Sequence, residues 1–216
     1  VSYNLFMELA PYGSLGELIR KRGGLSEDLI YTHVLLKGLH CIHEKGVVHC
    51  DLKPDNILLF PTWKSETWNQ VKIADFGLAK TREEAKAEFG FVKMKFRGTA
   101  FYMSPESVTG VIGTALDIWS LGCIVIEMIT GMDAWRNVES QEELMLKLAL
   151  KDFLGKCFVK DPTLRFSAAM LLNHPFINST YNNDMQTSHT AYLASCQSVT
   201  SSSFFTYDLF DFLPHN

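Results

Sequence analysis

Leu15, Leu18 and Ile19 recur three and four residues apart, after a serine at position 14 and before Gly23-Gly24. That spacing predicts one apolar face of a short helix, with a hydroxyl cap at its start and glycine at its end. Ser26 opens a longer run in which Leu29, Ile30, His33, Val34, Leu36 and Leu39 predict a broad apolar stripe, closed by Gly46. Tyr3 to Leu9 reads as a buried strand running into Ala10-Pro11-Tyr12-Gly13, a turn-forming connector. Val47-Val48, Ile57-Leu58-Leu59 and Val71-Lys72-Ile73-Ala74 predict short strands, and Pro61 to Gln70 is a polar hairpin-like excursion holding Trp63 and Trp68. Helical periodicity returns at Asp117 to Thr130, Ser140 to Leu150 and Ser167 to Leu172. From Asn178 to Ser203 Ser, Thr, Asn and Gln dominate, the composition of a disordered tail. The expected fold class is α+β, mainly α-helical.

Composition narrows this picture only a little. A chain of 216 residues with 47% hydrophobic content can bury a sizeable core, so one domain over residues 1–178 plus a tail over 179–216 is expected. The net charge is −4 with no basic stripe, so nucleic acid is not an expected partner. Five widely spaced cysteines without a CxxC pair point to reduced thiols and an intracellular protein, cytoplasmic or nuclear. His40 and His43 stand at i, i+3 without an acidic or thiol partner on the same face, so a metal is not expected there. The most apolar run, Leu121 to Ile129, contains Glu127 and is too short to span a membrane. A start at Val1, in mid-strand rather than at Met, reads as a fragment.

The chemistry concentrates in His49-Cys50-Asp51-Leu52-Lys53-Pro54-Asp55-Asn56 and, after a short strand, Asp75-Phe76-Gly77. Phosphoryl transfer needs such a set. One carboxylate orients a hydroxyl, a lysine holds the moving charge, and an amide oxygen with a second carboxylate holds Mg²⁺.

In this order, and with Met7-Glu8-Leu9-Ala10 before them, these motifs resemble the eukaryotic protein kinases of serine/threonine type. Gly98-Thr99-Ala100-Phe101-Tyr102-Met103-Ser104-Pro105-Glu106, Asp117-Ile118-Trp119-Ser120-Leu121-Gly122 and Arg165 extend the resemblance over residues 1–178, the family's large lobe. Met7 to Leu15, Cys50 and Phe153-Leu154-Gly155-Lys156-Cys157 are similar to the plant mitogen-activated protein kinase kinase kinases. The resemblance implies a kinase large lobe with short β-hairpins at the cleft and a remnant of the small lobe. Its cofactors would be ATP and Mg²⁺, and its partner a protein substrate, a MAP kinase kinase being one candidate.

The resemblance also assigns roles. Asp51 would accept the substrate hydroxyl's hydrogen bond as catalytic base, and Lys53 would reach the transferring phosphoryl group. Asn56 and Asp75 would hold Mg²⁺. Glu8 and Ala10 would bond adenine through the backbone, Leu58 would pack under the base and Met7 would line the back of the pocket. Thr99 would contact Asp51 and Lys53, Asp117 would accept backbone N–H groups of the catalytic loop, and Glu106 would pair with Arg165. His49 and Phe76 would pack.

Three departures stand out. No Gly-rich phosphate loop, strand lysine or helix glutamate precedes Met7, so the alternative is an inactive, truncated interaction module. Cys50 occupies the place of an arginine that grips a loop phosphate, and Thr81, Thr99 and Tyr102 are the only hydroxyls between Leu78 and Met103, so activation independent of loop phosphorylation is expected. Leu148-Ala149-Leu150-Lys151-Asp152 reads as an internal deletion near 150–151. The aromatic-acidic Phe204 to Phe212 is a docking peptide, a segment packed on its own domain, or solvated.

Overall fold

The structure, a computed structural model, describes residues 6–25, 28–62, 65–84, 98–134 and 148–178. Tyr3, Ser26, Trp63, the loop lysines at 86, 93 and 95, the first part of the 140–150 helix and everything from 179 on, including Phe204 to Phe212, lie outside them.

The helix at the centre is α4, Thr114–Thr130, following α1 (Leu15–Arg22), α2 (Asp28–Glu44) and the single turn α3 (Pro105–Val108). Every residue of α4 from Leu116 to Met128 is buried, the mark of a helix enclosed on all sides. Gly131 ends it in the left-handed conformation, donating its N–H to Glu127 O at 2.8 Å. α2 packs on α4 and on α6 (Ala168–Leu172), while α5 (Leu148–Cys157) packs on α4 from another side. Where α1 meets the end of α4, chain approach is too close for a side chain. A Cβ on Gly24 would sit 2.3 Å from Ile129 O, and Leu25 N–H donates to Met128 O at 2.7 Å.

Two small antiparallel sheets lie beside these helices. β1 (Val47–Val48) pairs with β4 (Lys80–Thr81), and β2 (Ile57–Thr62) pairs with β3 (Ser65–Ile73) in the register Ile57 to Ile73 and Leu58 to Lys72. The register slips between Phe60 and Thr62, at Pro61, which has no N–H for the ladder. The polar excursion is therefore part of a hairpin, and the strand expected at Val71 begins six residues earlier.

Two expectations need correction. Residues 6–9 form no strand; Phe6, Met7 and Leu9 are 86%, 73% and 82% exposed, because among the described residues no strand pairs with them. The stripe on α2 is rotated: Tyr31, Leu35, Leu36, Leu39 and Ile42 are buried with Thr32, whereas Ile30, His33 and Val34 are only half-buried. Tyr31, Thr32 and Leu35, all outside the expected stripe, are buried instead. Ser14 does cap α1, through a reciprocal pair in which Ser14 N–H donates to Glu17 and Glu17 N–H to Ser14 Oγ.

Candidate active site

The loop from His49 to Asn56 is built from below by one carboxylate. Asp117 sits in the first turn of α4 with no exposed surface. Its Oδ2 accepts His49 N–H at 2.9 Å and its Oδ1 accepts Cys50 N–H at 3.0 Å. The His43 ring of α2 adds a bond from Nε2 to Oδ2 at 2.8 Å. Three donors offset the cost of burying the charge. Cys50 (φ +66°) and Asp75 (φ +62°) are, among the described residues, the non-glycine residues in the left-handed region, and both lie at this site.

His49 ties the loop to the second motif. Asp51 N–H donates to its Nδ1 at 3.3 Å, so Nε2 carries the ring proton and donates to Ala74 O at 3.0 Å. The Phe76 ring stands edge-on to it, with centroids 4.9 Å apart.

Above this support the side chains converge. Lys53 Nζ lies 3.0 Å from Asp51 Oδ2 and 3.0 Å from Thr99 Oγ1, and Thr99 Oγ1 donates to Asp51 Oδ1 at 3.0 Å. Asn56 Nδ2 donates to Asp51 O at 2.9 Å, with a longer 3.4 Å contact to Asp51 Oδ2, which turns its amide oxygen away from Asp51. Thr99 reaches the loop because its neighbour is glycine: a Cβ on Gly98 (φ +93°) would stand 2.7 Å from Cys50 O. A small cleft lined by both Asp51 and Thr99 opens there.

Asp75 is exposed and accepts Gly77 N–H at 3.3 Å. It follows Ala74, whose N–H donates to Asn56 O at 2.8 Å, so the β2–β3 register brings Asn56 and Asp75 to the same end of one hairpin. An amide oxygen and a carboxylate are hard donors that suit Mg²⁺, an ion that keeps waters and phosphate oxygens as its other ligands. No group of three His, Cys, Asp or Glu that would hold a metal alone exists among the described residues. Leu58 is half-buried on β2, while Met7 and Glu8 are exposed and Ala10 is half-buried in the 6–10 segment.

The hydroxyls of the intervening segment are engaged. Thr81 Oγ1 accepts Glu84 N–H at 3.2 Å, Thr99 is shared by Asp51 and Lys53, and Tyr102 O–H donates to Glu127 at 2.6 Å. Burial, and then that bond, push the Tyr102 phenol far above its usual range; burial also raises the Glu127 carboxyl. Farther down, Arg165 uses all five N–H donors: Glu106 takes two, Val159 O two and Ala115 O one. Its guanidinium lies 5.0 Å from the Trp119 ring.

The sequence model of the protein kinase domain matches residues 1–177. The chain belongs to the protein kinase domain family. It is similar to mitogen-activated protein kinase kinase kinase 20 of Arabidopsis thaliana, 40% identical over 204 residues, 84% of this chain and 58% of that protein. Kinase kinase kinase 17 of the same plant is 37% identical over 201 residues, 83% and 51% of the two chains, and human kinase kinase kinase 4 is 36% identical over 194 residues, 80% and 12%. The chain spans about half the length of the plant relatives it matches.

For this kinase domain, motif reading names Asp51, Lys53, Asn56, Thr99, Asp75 and Asp117 as candidates; Asp51, Lys53 and Thr99 contact one another, Asn56 bonds Asp51, and Asp117 holds the loop from below. Motif reading missed His43, Tyr102 with Glu127, and Lys72, which pairs with Glu8. In the sequence His43 reads only against His40; its partner Asp117 is 74 residues away and leaves no local signal. No helix of the described residues is long and apolar enough to cross a membrane.

Proposed function

We infer that this chain is the large-lobe part of an intracellular serine/threonine protein kinase that transfers the γ-phosphoryl group of ATP to a protein hydroxyl. The observation that carries the reading is the closed triangle of Asp51, Lys53 and Thr99, each side 3.0 Å, with Asn56 bonded to its corner. Asp51, half-buried and tethered through its backbone to His49, orients the incoming hydroxyl and takes its hydrogen bond. Lys53 balances the carboxylate in the resting site and would reach the transferring phosphoryl group. Thr99 fixes both, so neither needs to reorganise when substrate binds. Asn56 and Asp75 are the residues that would hold Mg²⁺, which when bound neutralises charge on the phosphates. Glu8 and Ala10 would meet adenine through the backbone, with Leu58 and Met7 against the base.

The names of the relatives support a role in a MAP kinase cascade, with a MAP kinase kinase as substrate. A shortening somewhere within the matched span has support too. An alignment of 204 residues takes up only 84% of a 216-residue chain, so it passes over positions that the relative has and this chain lacks. A second reading, an interaction module without activity, is favoured by the exposed Phe6, Met7 and Leu9.

The test is phosphate transfer from labelled ATP to a protein acceptor, with Mg²⁺. Asp51→Asn should lower kcat by about 10²–10⁴-fold while the variant still binds nucleotide. Transfer undiminished by that change would overturn the enzyme reading, and nucleotide binding without any transfer would favour the module.

A further inference from the structure

Residues 6–9 belong to no strand and lie largely exposed, yet the kinase reading asks Glu8 and Ala10 to meet a purine edge. At its far end the segment is well attached. Gly13 N–H donates to Ala10 O at 3.1 Å, Leu59 N–H donates to Gly13 O at 2.9 Å, and Ser14 bridges to Leu58. At its near end, among the described residues, the one polar side-chain contact reaching the rest of the fold is the ion pair of Glu8 with Lys72.

Lys72 is well placed for that task. It stands on β3 as the cross-strand partner of Leu58, and its ammonium lies 4.1 Å from the centroid of the Phe60 ring, whose residue is buried on β2. The ring face and the Glu8 carboxylate together hold the ammonium in one place. Both attachments of segment 8–13 thus end on the hairpin that carries Leu58, so the backbone edge and the surface under the base move as one body.

We propose that Lys72 is a positioning residue for nucleotide: it fastens Glu8 to the β2–β3 hairpin and so presets the distance between the backbone of residues 8–10 and Leu58. The inference rests on the kinase reading above and deepens its ATP site. Each contact is partly exposed and individually weak. The pair therefore tunes affinity by removing an ordering cost from binding.

The test uses the 216-residue chain and calorimetric binding of ATP with Mg²⁺, with kcat at saturating ATP and the thermal midpoint measured alongside. Lys72→Met is expected to weaken binding about 3–10-fold, the range for one lost ordering contact, with kcat and midpoint nearly unchanged. Glu8→Gln should weaken binding to the same extent, and the double variant should bind no worse than either single one. Raising salt from about 0.05 to about 0.5 M should shrink the difference, because exposed charges are screened. Unchanged affinity in Lys72→Met, or losses that simply add and come with a fallen midpoint and kcat, would overturn the proposal. A wild-type chain that binds no ATP overturns the kinase reading and this inference together; one that binds ATP indifferently to Lys72 overturns the inference alone.

Discussion

Asp117 and Glu8 are both carboxylates that hold a piece of the candidate site, and they do it in opposite ways. Asp117 has no exposed surface and accepts two backbone N–H groups and an imidazole. The Glu8 side chain is 53% exposed and has one lysine partner. The first arrangement survives only as a complete network, since each donor left unpaired in the interior is costly. The second tolerates loss, since water replaces what is removed. In the proposed site, the loop that carries Asp51 is fixed before any ligand arrives, and the segment proposed to meet nucleotide is held lightly.

The harshest way to break this contrast is Asp117→Ala, which strands two buried N–H groups and the His43 ring. Urea unfolding should show a loss of roughly 3–5 kcal/mol. A loss no larger than that of a surface carboxylate would abolish the distinction.

Asp152 is an intermediate case. Its side chain is 59% exposed, but its partner His174 is 4% exposed and bonds it at 3.0 Å. The bond from His174, helped by Lys156, holds the Asp152 carboxyl below its usual range. A folded-state value below the unfolded one contributes stability above the ordinary carboxylate range, and the contribution is lost as pH falls through the lowered value. Asp152→Asn should therefore be slightly less stable than wild type at pH 7, and the thermal midpoints should converge as pH falls below about 4. A gap that widens in acid would reverse the sign and refute the assignment.

The smallest expected effect is none. If the loop is held from within, phosphatase treatment should leave transfer activity of an intact version unchanged, because Thr81, Thr99 and Tyr102 are already engaged. Activity that vanishes on treatment and returns on rephosphorylation between Leu78 and Met103 would show that the loop needs an outside group.

The legible parts of this fold are those where chemistry and spacing coincide. Asp51, Lys53 and Asn56 sit within six residues, and Ser14 with Gly23-Gly24 bounds α1, so local order alone exposes them. The illegible parts depend on distant partners. The 6–9 run has strand composition, but a strand is completed only by a neighbour. The buried face of α2 follows α4 and α6, which Tyr31 and Thr32 do not advertise. Glu127 looked like a mark of polarity in an apolar run; its meaning lies in Tyr102, 25 residues earlier.

The pairing of β1 with β4 has a mechanical side. Val47 faces Thr81, Val48 faces Lys80, Arg82 N–H donates to Gly46 O, and His49 donates to Ala74 O. Residues 74–82 are thus lashed at several points to the strand that enters the His49–Asn56 loop. Opening this clasp would remove the contacts that join residues 74–82 to His49, whose backbone N–H is held by Asp117.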